Sequence, residues 1–337
     1  MNRKLSIGIL GTGFMGNMHA QRLMKQDDVV VTAVCGETIA MAEELKSNLK
    51  VGDAIAFGNF DEMLATSQLD ALYICLPPYA HSGQEEKAAE RGIHLFLEKP
   101  IAYNITQAES IVAAIEKAGV VSQVGYHMRF RKAVTAIKRI SAGKPTLFEG
   151  RFWCNFGGPP WWTDNAKSHG QIFEQVIHLY DMALYLFGKV DSASGFAANL
   201  CHNTDQTYTI EDTSVGMLRF ANGALGMITG SNCAIPERFI STFRAVFEHV
   251  TLDYHSTGDW RVKDESTLFV HDGKNIIEQQ DFDENNDVYL DETRAFLDAI
   301  QGKASQIATA RDGLDGIRLA SAVLESASRN GSPIQLS

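Results

Sequence analysis

A β-branched run that breaks at three spaced glycines and restarts as a helix constrains a chain more than its composition does. Residues 7–20 read IGILGTGFMGNMHA, so Gly11, Gly13 and Gly16 occupy the G-x-G-x-x-G positions. They follow the strand-like KLSIGIL (4–10) and open a segment of good helix formers, which is the setting the motif needs. Each glycine has its own task there. Gly11 makes the tight turn, Gly13 lets the backbone approach a diphosphate, and Gly16 permits close helix–strand contact. The helix start then presents N–H groups and the positive end of its dipole to an anion. With Phe14 and Met15, these glycines form the expected dinucleotide-binding turn. The bland alternative is an ordinary glycine turn without a ligand, and the βαβ context weighs against it.

The strand–helix rhythm continues through residue 125. DVVVTAVC (28–35), the weak AIAFG, DALYICL (70–76), IHLFLEK and VVSQVGY read as strands. Between them IAMAEELKSNL, FDEMLAT, SGQEEKAAERG and TQAESIVAAIEKAG read as helices, the last with Thr106 as N-cap and Gly119 beyond its end. Apolar strands alternating with helices predict an α/β fold whose first domain, 1–125, is a doubly wound parallel sheet covered on both faces. From 126 to 337 the pattern changes. A helical segment (131–142), the Gly/Pro/Trp loop GGPPWW (157–162) and a long apolar helix precede several alternating runs. Asn222-Gly223 and Asp272-Gly273 each sit between two such runs and predict hairpins. Helices return at 289–301 and 312–329. The second domain is therefore expected to be an antiparallel sheet with helices on one face.

Composition narrows the function classes. Hydrophobic residues make up 45% and charged residues 21%, and 30 basic against 41 acidic residues give a net charge of −11. That balance argues against nucleic acid and anionic membranes as partners. Five cysteines (35, 75, 154, 201 and 233) stand singly with no C-x-x-C pair, so free thiols in a reducing compartment are expected. With no apolar targeting segment ahead of the first strand and no stretch long enough to span a bilayer, the expected location is cytoplasmic.

A dinucleotide fold commonly holds the adenosine ribose through an acid at the end of its second strand. Here that point reads AVCGET: Gly36 stands at the usual place and Glu37 one step later, with no arginine nearby. NAD is the expected cofactor, with NADP possible. HLFLEKPIAYN (94–104) puts Glu98, Lys99 and Pro100 at the carboxyl end of a strand, the edge that borders the ligand crevice. A lysine there can meet the reacting end of a nicotinamide, although an isolated strand-end lysine is usually only solvated. LPPYAH (76–81) supplies Leu76, Pro77 and His81 at the same edge.

The glycine loop, LPPYAH, GIHLFLEKPIA, GQIFEQVIHLYDMALYLFG and the closing ARDGLDGIRLASAVLESASRNGSPIQL, in this order, resemble the Gfo/Idh/MocA oxidoreductase family. The resemblance covers nearly the whole chain. It implies an N-terminal Rossmann domain, a second α/β domain with a large, mostly antiparallel open sheet, and a tightly bound NAD or NADP. It also implies a small carbohydrate-like substrate (a sugar, an inositol or a related polyhydroxy compound) and a homodimer or homotetramer formed through the open sheet.

Within the long apolar helix, FEQVIHLYD (173–181) carries Glu174, His178 and Asp181 at intervals of four and three. On one regular helix those three share a face, together with Gln171 and Tyr185. Unpaired buried charge is costly, so the stripe should line a cavity. Locally it reads equally as a metal site, a proton relay or a structural hydrogen-bond network. No further ligand motif accompanies it, and no metal is expected. The family's catalytic pattern runs Asp-x-x-x-His with a further Asp three residues on; His178 and Asp181 match it, and Glu174 departs from it. The resemblance implies His178 as acid/base, Lys99 as its hydrogen-bonding or relay partner, Glu174 orienting substrate or imidazole, and Asp181 fixing the ring tautomer. Tyr126, Trp161 and Trp162 are candidate substrate contacts, the tryptophans as readily a packing plug. Arg129 and Arg131 are expected on a solvated basic face. The function expected is hydride transfer between nicotinamide and a CH–OH group. The alternatives are hydrolysis or isomerisation through transient oxidation by bound NAD, or a cofactor-sensing regulatory protein without turnover.

Overall fold

The computed structural model describes residues 3–155, 158–259 and 261–336. Gly157, at the start of the expected Gly/Pro/Trp loop, lies outside them. The chain forms two compact units, Met1–His127 with Asp287–Leu314, and Met128–Asn286 with Asp315–Ser337. The segment Asp287–Leu314 thus belongs with the first unit, whereas a division at 125/126 puts it in the second. The reason is packing: Phe296 and Leu297, on the amphipathic helix Val288–Ile300, are buried in the same core as Ile7, Leu23 and Tyr73.

The first unit is a six-stranded parallel sheet. Its strands are β1 (Leu5–Leu10), β2 (Val29–Cys35), β3 (Ile55–Phe57), β4 (Ala71–Ile74), β5 (His94–Leu97) and β6 (Ser122–Val124). Their spatial order is β3-β2-β1-β4-β5-β6, all paired in parallel. The chain winds outward in both directions from β1, so the topological switch point lies between β1 and β4, where α/β sheets bind their ligands. The near-continuous burial of β1, β4 and β5 is what a sheet covered on both faces requires. The helix Ile105–Ala118 begins one residue after Asn104, whose Oδ1 accepts the Gln107 N–H at 2.9 Å. Asn104 therefore replaces Thr106 as the cap, while Gly119 closes the helix at φ 66° as expected.

The second unit carries a nine-stranded sheet. Its strands are β7 (Pro145–Cys154), β8 (Val190–Ala198), β9 (Thr213–Phe220), β10 (Leu225–Ser231), β11 (Phe239–Phe247), β12 (Val250–His255), β13 (Glu265–His271), β14 (Ile276–Asp283) and β15 (Ile334–Gln335). The order is β14-β13-β12-β11-β7-β10-β9-β8-β15, and among its pairs only β7 with β10 is parallel. Both hairpins form where Asn-Gly and Asp-Gly predict them, with Gly223 at φ 91° and Gly273 at φ 88°. The helix Ile177–Phe187 packs on β7, β10 and β11. Phe148, Ile228, Phe243 and Ala245 are buried, while Leu147, Met217, Leu225 and Met227 on the alternate positions remain exposed. One face of the sheet is covered and the other is open.

Candidate functional site

At the carboxyl edge of the first sheet, backbone bonds gather the ends of four strands. The Gly11 N–H donates to Cys35 O at 2.9 Å, Cys75 N–H to Leu10 O at 2.8 Å, and Glu98 N–H to Ile74 O at 2.9 Å. The glycine loop, Glu37, Leu76-Pro77 and Glu98-Lys99 therefore share one edge of the first unit. The three glycines behave as three different devices. Gly11 sits at φ 101°, where an L side chain is strained and a Cβ would strike the Cys75 carbonyl. A Cβ on Gly16 would collide with the Gly11 carbonyl oxygen, so this position needs glycine for helix–strand contact. Around Gly13, by contrast, a Cβ would meet nothing within 4 Å, and as N-cap of the helix Phe14–Leu23 it has no side-chain cap. An exposed, uncapped helix start with open space over its backbone suits a diphosphate.

At Gly36 a Cβ would lie 3.0 Å from Thr38 O and 3.1 Å from Ala42 N, a tight fit that its neighbours would have to yield to, and the carboxylate stands one step on at the exposed Glu37. Glu98 points inward: its Oε1 lies 2.7 Å from His19 Nε2, and its Oε2 accepts the Lys99 N–H at 3.1 Å. His81 is likewise buried, its Nδ1 2.6 Å from Glu85 Oε1 and its carbonyl accepting from Gln107 Nε2 at 2.9 Å. These two acid–imidazole pairs brace the turns that carry Lys99 and Pro77. The Lys99–Pro100 peptide is cis, Lys99 is half-buried, and Tyr126 is buried.

In the second unit the expected single helix is interrupted. It forms as Gln171–Glu174 and Ile177–Phe187, and at the junction Val176 N–H donates to Gln171 O at 3.0 Å, an i→i−5 bond. Such a local π-turn rotates the downstream segment relative to a regular helix. Glu174 and His178 thus lie on successive segments, and regular i,i+4 geometry does not relate them. Both are buried, at 5% and 8% exposure. The Gln171 amide lies between Ser214 Oγ at 3.1 Å and Asn232 Oδ1 at 2.7 Å. Asp181 meets a partner that spacing does not reveal: Arg129 Nε and Nη2 donate to its two oxygens at 3.0 and 2.5 Å. Arg129 is therefore buried, not on a solvated face, and its guanidinium also stacks 4.4 Å over the Tyr185 ring. Arg131, too, is engaged, with Asp264 at 3.1 Å and the Glu284 carbonyl at 3.1 Å. With Asp181 committed to a guanidinium, a metal reading of the stripe loses its third ligand. Trp161 and Trp162 are half-buried and meet edge to face at 5.8 Å, and the Trp162 ring covers Gly158.

Comparison with known proteins agrees with this architecture. The profile of an oxidoreductase family with an NAD-binding Rossmann fold, GFO/IDH/MocA, matches residues 5–126, and that of the GFO/IDH/MocA C-terminal domain matches 130–265. The chain belongs to the GFO/IDH/MocA oxidoreductase family. Among its relatives, the scyllo-inositol 2-dehydrogenase (NAD(+)) of Bacillus subtilis is 27% identical over 100% of this chain and 97% of its own. The myo-inositol 2-dehydrogenase of Thermotoga maritima is 28% identical over 68% of this chain and 70% of its own. A levoglucosan dehydrogenase, solved in complex with NADH and levoglucosan, shares the fold at a TM-score of 0.86 and 18% identity, over 99% and 100% of the two chains. The protein is an NAD-binding oxidoreductase, and none of its described helices is long and apolar enough to cross a membrane.

The family motifs do not point to Glu211. Its Oε1 accepts the Ile172 N–H at 2.7 Å, and the space left by Gly170, at φ 101°, is filled by its carboxyl group. Burial pushes Glu211 up to about 7. Its sequence signal is slight: two adjacent acids, Glu211-Asp212, just before a strand. The consequence has a definite sign. A raised carboxyl keeps its proton in the native state while the unfolded chain loses it, so stability falls as pH rises from about 4.5 to about 7. Urea midpoints across that window should decline in the wild type and flatten in Glu211→Gln, the difference reaching at most about 3 kcal/mol. Parallel profiles would show that Glu211 ionises as it does in water.

Proposed function

We propose that the protein is an NAD-dependent dehydrogenase or reductase moving a hydride between nicotinamide and a hydroxyl-bearing carbon of a sugar, an inositol or a related polyhydroxy compound. The observation that carries this reading is the open, uncapped glycine turn at Gly13, built for a dinucleotide, in a chain that also buries Glu174 and His178. The inositol substrates in the names of two relatives support the substrate class. Bound NAD supplies the hydride acceptor or donor.

The proton is the protein's task, because oxidising an alcohol also releases its hydroxyl proton. His178 takes that proton as general base and returns it as general acid in the reverse direction. Lys99 is its hydrogen-bonding or relay partner, and Glu174 orients the substrate or the imidazole. Asp181 acts through Arg129 as a positioning residue. Gly11, Gly13, Phe14, Met15 and Gly16 hold the diphosphate, Glu37 a ribose hydroxyl, and Leu76, Pro77 and Lys99 the nicotinamide side. His81, Glu98 and Pro100 support that edge from within. Trp161 is assigned to the substrate, while Trp162 and the buried Tyr126 are assigned to the walls behind it. The apolar open face around Leu147, Met217 and Met227 supports a homodimer or homotetramer, which sedimentation would measure.

A screen of sugars, inositols and their acids, followed by reduced-nicotinamide absorbance and product analysis, tests the reading. Failure of every polyol to reduce the cofactor would overturn it. A product formed without net cofactor reduction would favour the hydrolase or isomerase alternative. Glu37 should repel a 2′-phosphate, so NAD(H) is expected to bind more tightly than NADP(H), and Glu37→Arg should narrow that gap by about tenfold or more. Direct titration of both cofactors checks this, and a wild-type preference for NADP(H) would refute the role of Glu37.

A further inference from the structure

Two cysteines that the proposed reaction does not use converge in the second unit. Cys201 lies in the turn after β8 and Cys233 just beyond β10, and donor atoms of Cys201, Asp212 and Cys233 all lie within 4.8 Å of one another. His202 adds a fourth donor: its Nδ1 is 3.1 Å from Asp212 Oδ2 and 4.0 Å from Cys233 Sγ. The turn is built by Asp212, whose carboxylate accepts the N–H groups of Leu200, Cys201 and His202 at 3.0, 2.7 and 3.1 Å, and the Thr213 hydroxyl at 3.0 Å. The His202 imidazole lies flat against the Tyr208 ring, 4.2 Å between centroids. Tyr208 is held in turn by Asn232 Nδ2, which donates to its hydroxyl at 2.9 Å. The donors are thus oriented before any ion arrives, as functional metal sites require.

We propose that Cys201, Cys233, His202 and Asp212 form a binding site for one thiophilic divalent cation, zinc being the metal that suits them best. Two sulfurs and an imidazole exclude calcium and magnesium, which take oxygen ligands. Four-coordinate zinc at its usual bond lengths sets donor–donor edges of about 3.3–3.8 Å. The separations of 3.1 and 4.0 Å around His202 already bracket that range. The exposed Cys201 side chain closes the remainder by rotation. Binding releases the two thiol protons to solvent and changes no oxidation state.

The site has a structural consequence for its surroundings. Asn232, next to Cys233, accepts from Cys154 Sγ at 3.2 Å and contacts the Gln171 amide at 2.7 Å. An ion joining the 199–202 turn to the end of β10 would fix the strand end against which the segment before Glu174 rests.

The test uses the full chain, reduced, stripped of metal by chelation and then titrated with zinc in competition with a chromophoric chelator. One equivalent per chain is expected, and cobalt in its place should give a near-ultraviolet thiolate-to-metal band. Cys201→Ser, at an exposed position, should weaken the band to that of a single thiolate and weaken zinc binding by about 100-fold or more. His202→Gln should weaken it by about tenfold or more. Three results would overturn the site: no stoichiometric zinc in the reduced protein, unchanged affinity in Cys201→Ser, or a Cys201–Cys233 disulfide whose reduction yields no zinc uptake.

Discussion

Replacing His178 by Asn is expected to lower turnover by roughly 10²–10⁴-fold, the usual contribution of a general acid–base group, while NAD affinity changes little. The expected split reflects where the residues lie. The glycine turn proposed to hold the diphosphate, with Gly13 open and the helix Phe14–Leu23 uncapped, belongs to the first unit, and His178 belongs to the second. Lys99→Ala should give a similar loss if the lysine and the imidazole handle one proton. In that case the double variant should cost far less than the product of the two single effects, because groups acting as a unit are strongly non-additive. Glu174→Asp restores the acid of the family pattern but shortens its reach. Its effect should therefore be moderate and fall on substrate affinity or specificity. Steady-state kinetics on a substrate found by screening, paired with cofactor titration, measures all four variants. Wild-type turnover in His178→Asn would end the proton-transfer assignment, and independent effects of Lys99 and His178 would end the shared relay.

Local periodicity was enough to read most of the fold. Both Gly-closed hairpins and the glycine turn are legible from spacing because each is decided by residues within about a dozen positions, and the parallel sheet is legible from the repeated alternation of apolar strands with helices. Features decided over long range stay hidden in the sequence. The stripe Glu174–His178–Asp181 assumes an unbroken helix, and the i→i−5 bond at Val176 breaks that assumption. No spacing rule pairs Arg129 with Asp181, 52 residues apart, or sets Glu211 against Ile172, 39 residues away. The helix Val288–Ile300 carries an amphipathic pattern that says it must pack, yet nothing in that pattern says its partner is the first sheet. Periodicity identifies the buried face and leaves its partner open.

That same pairing of Arg129 with Asp181 carries the largest expected effect on stability. Their side chains are 7% and 1% exposed, and the guanidinium fork meets both carboxylate oxygens. Removing one member takes from the other buried charge its bidentate ion pair, a change that typically costs about 3–5 kcal/mol. Asp181→Ala is therefore expected to lower the urea midpoint sharply, and Arg129→Ala at least as much, since it also removes the stack on Tyr185. Replacing both by apolar residues of similar volume, Arg129→Met with Asp181→Leu, should restore much of the loss, because both charges of the pair then leave the interior together. If the double variant is as unstable as the worse single variant, the cost lies in packing and not in the broken ion pair. Activity separates the two remaining roles of Asp181. Were it to act only by holding this segment through Arg129, Asp181→Asn that stays folded should keep the pH profile of wild-type turnover. A displaced profile would instead tie its carboxylate to the ionisation of His178.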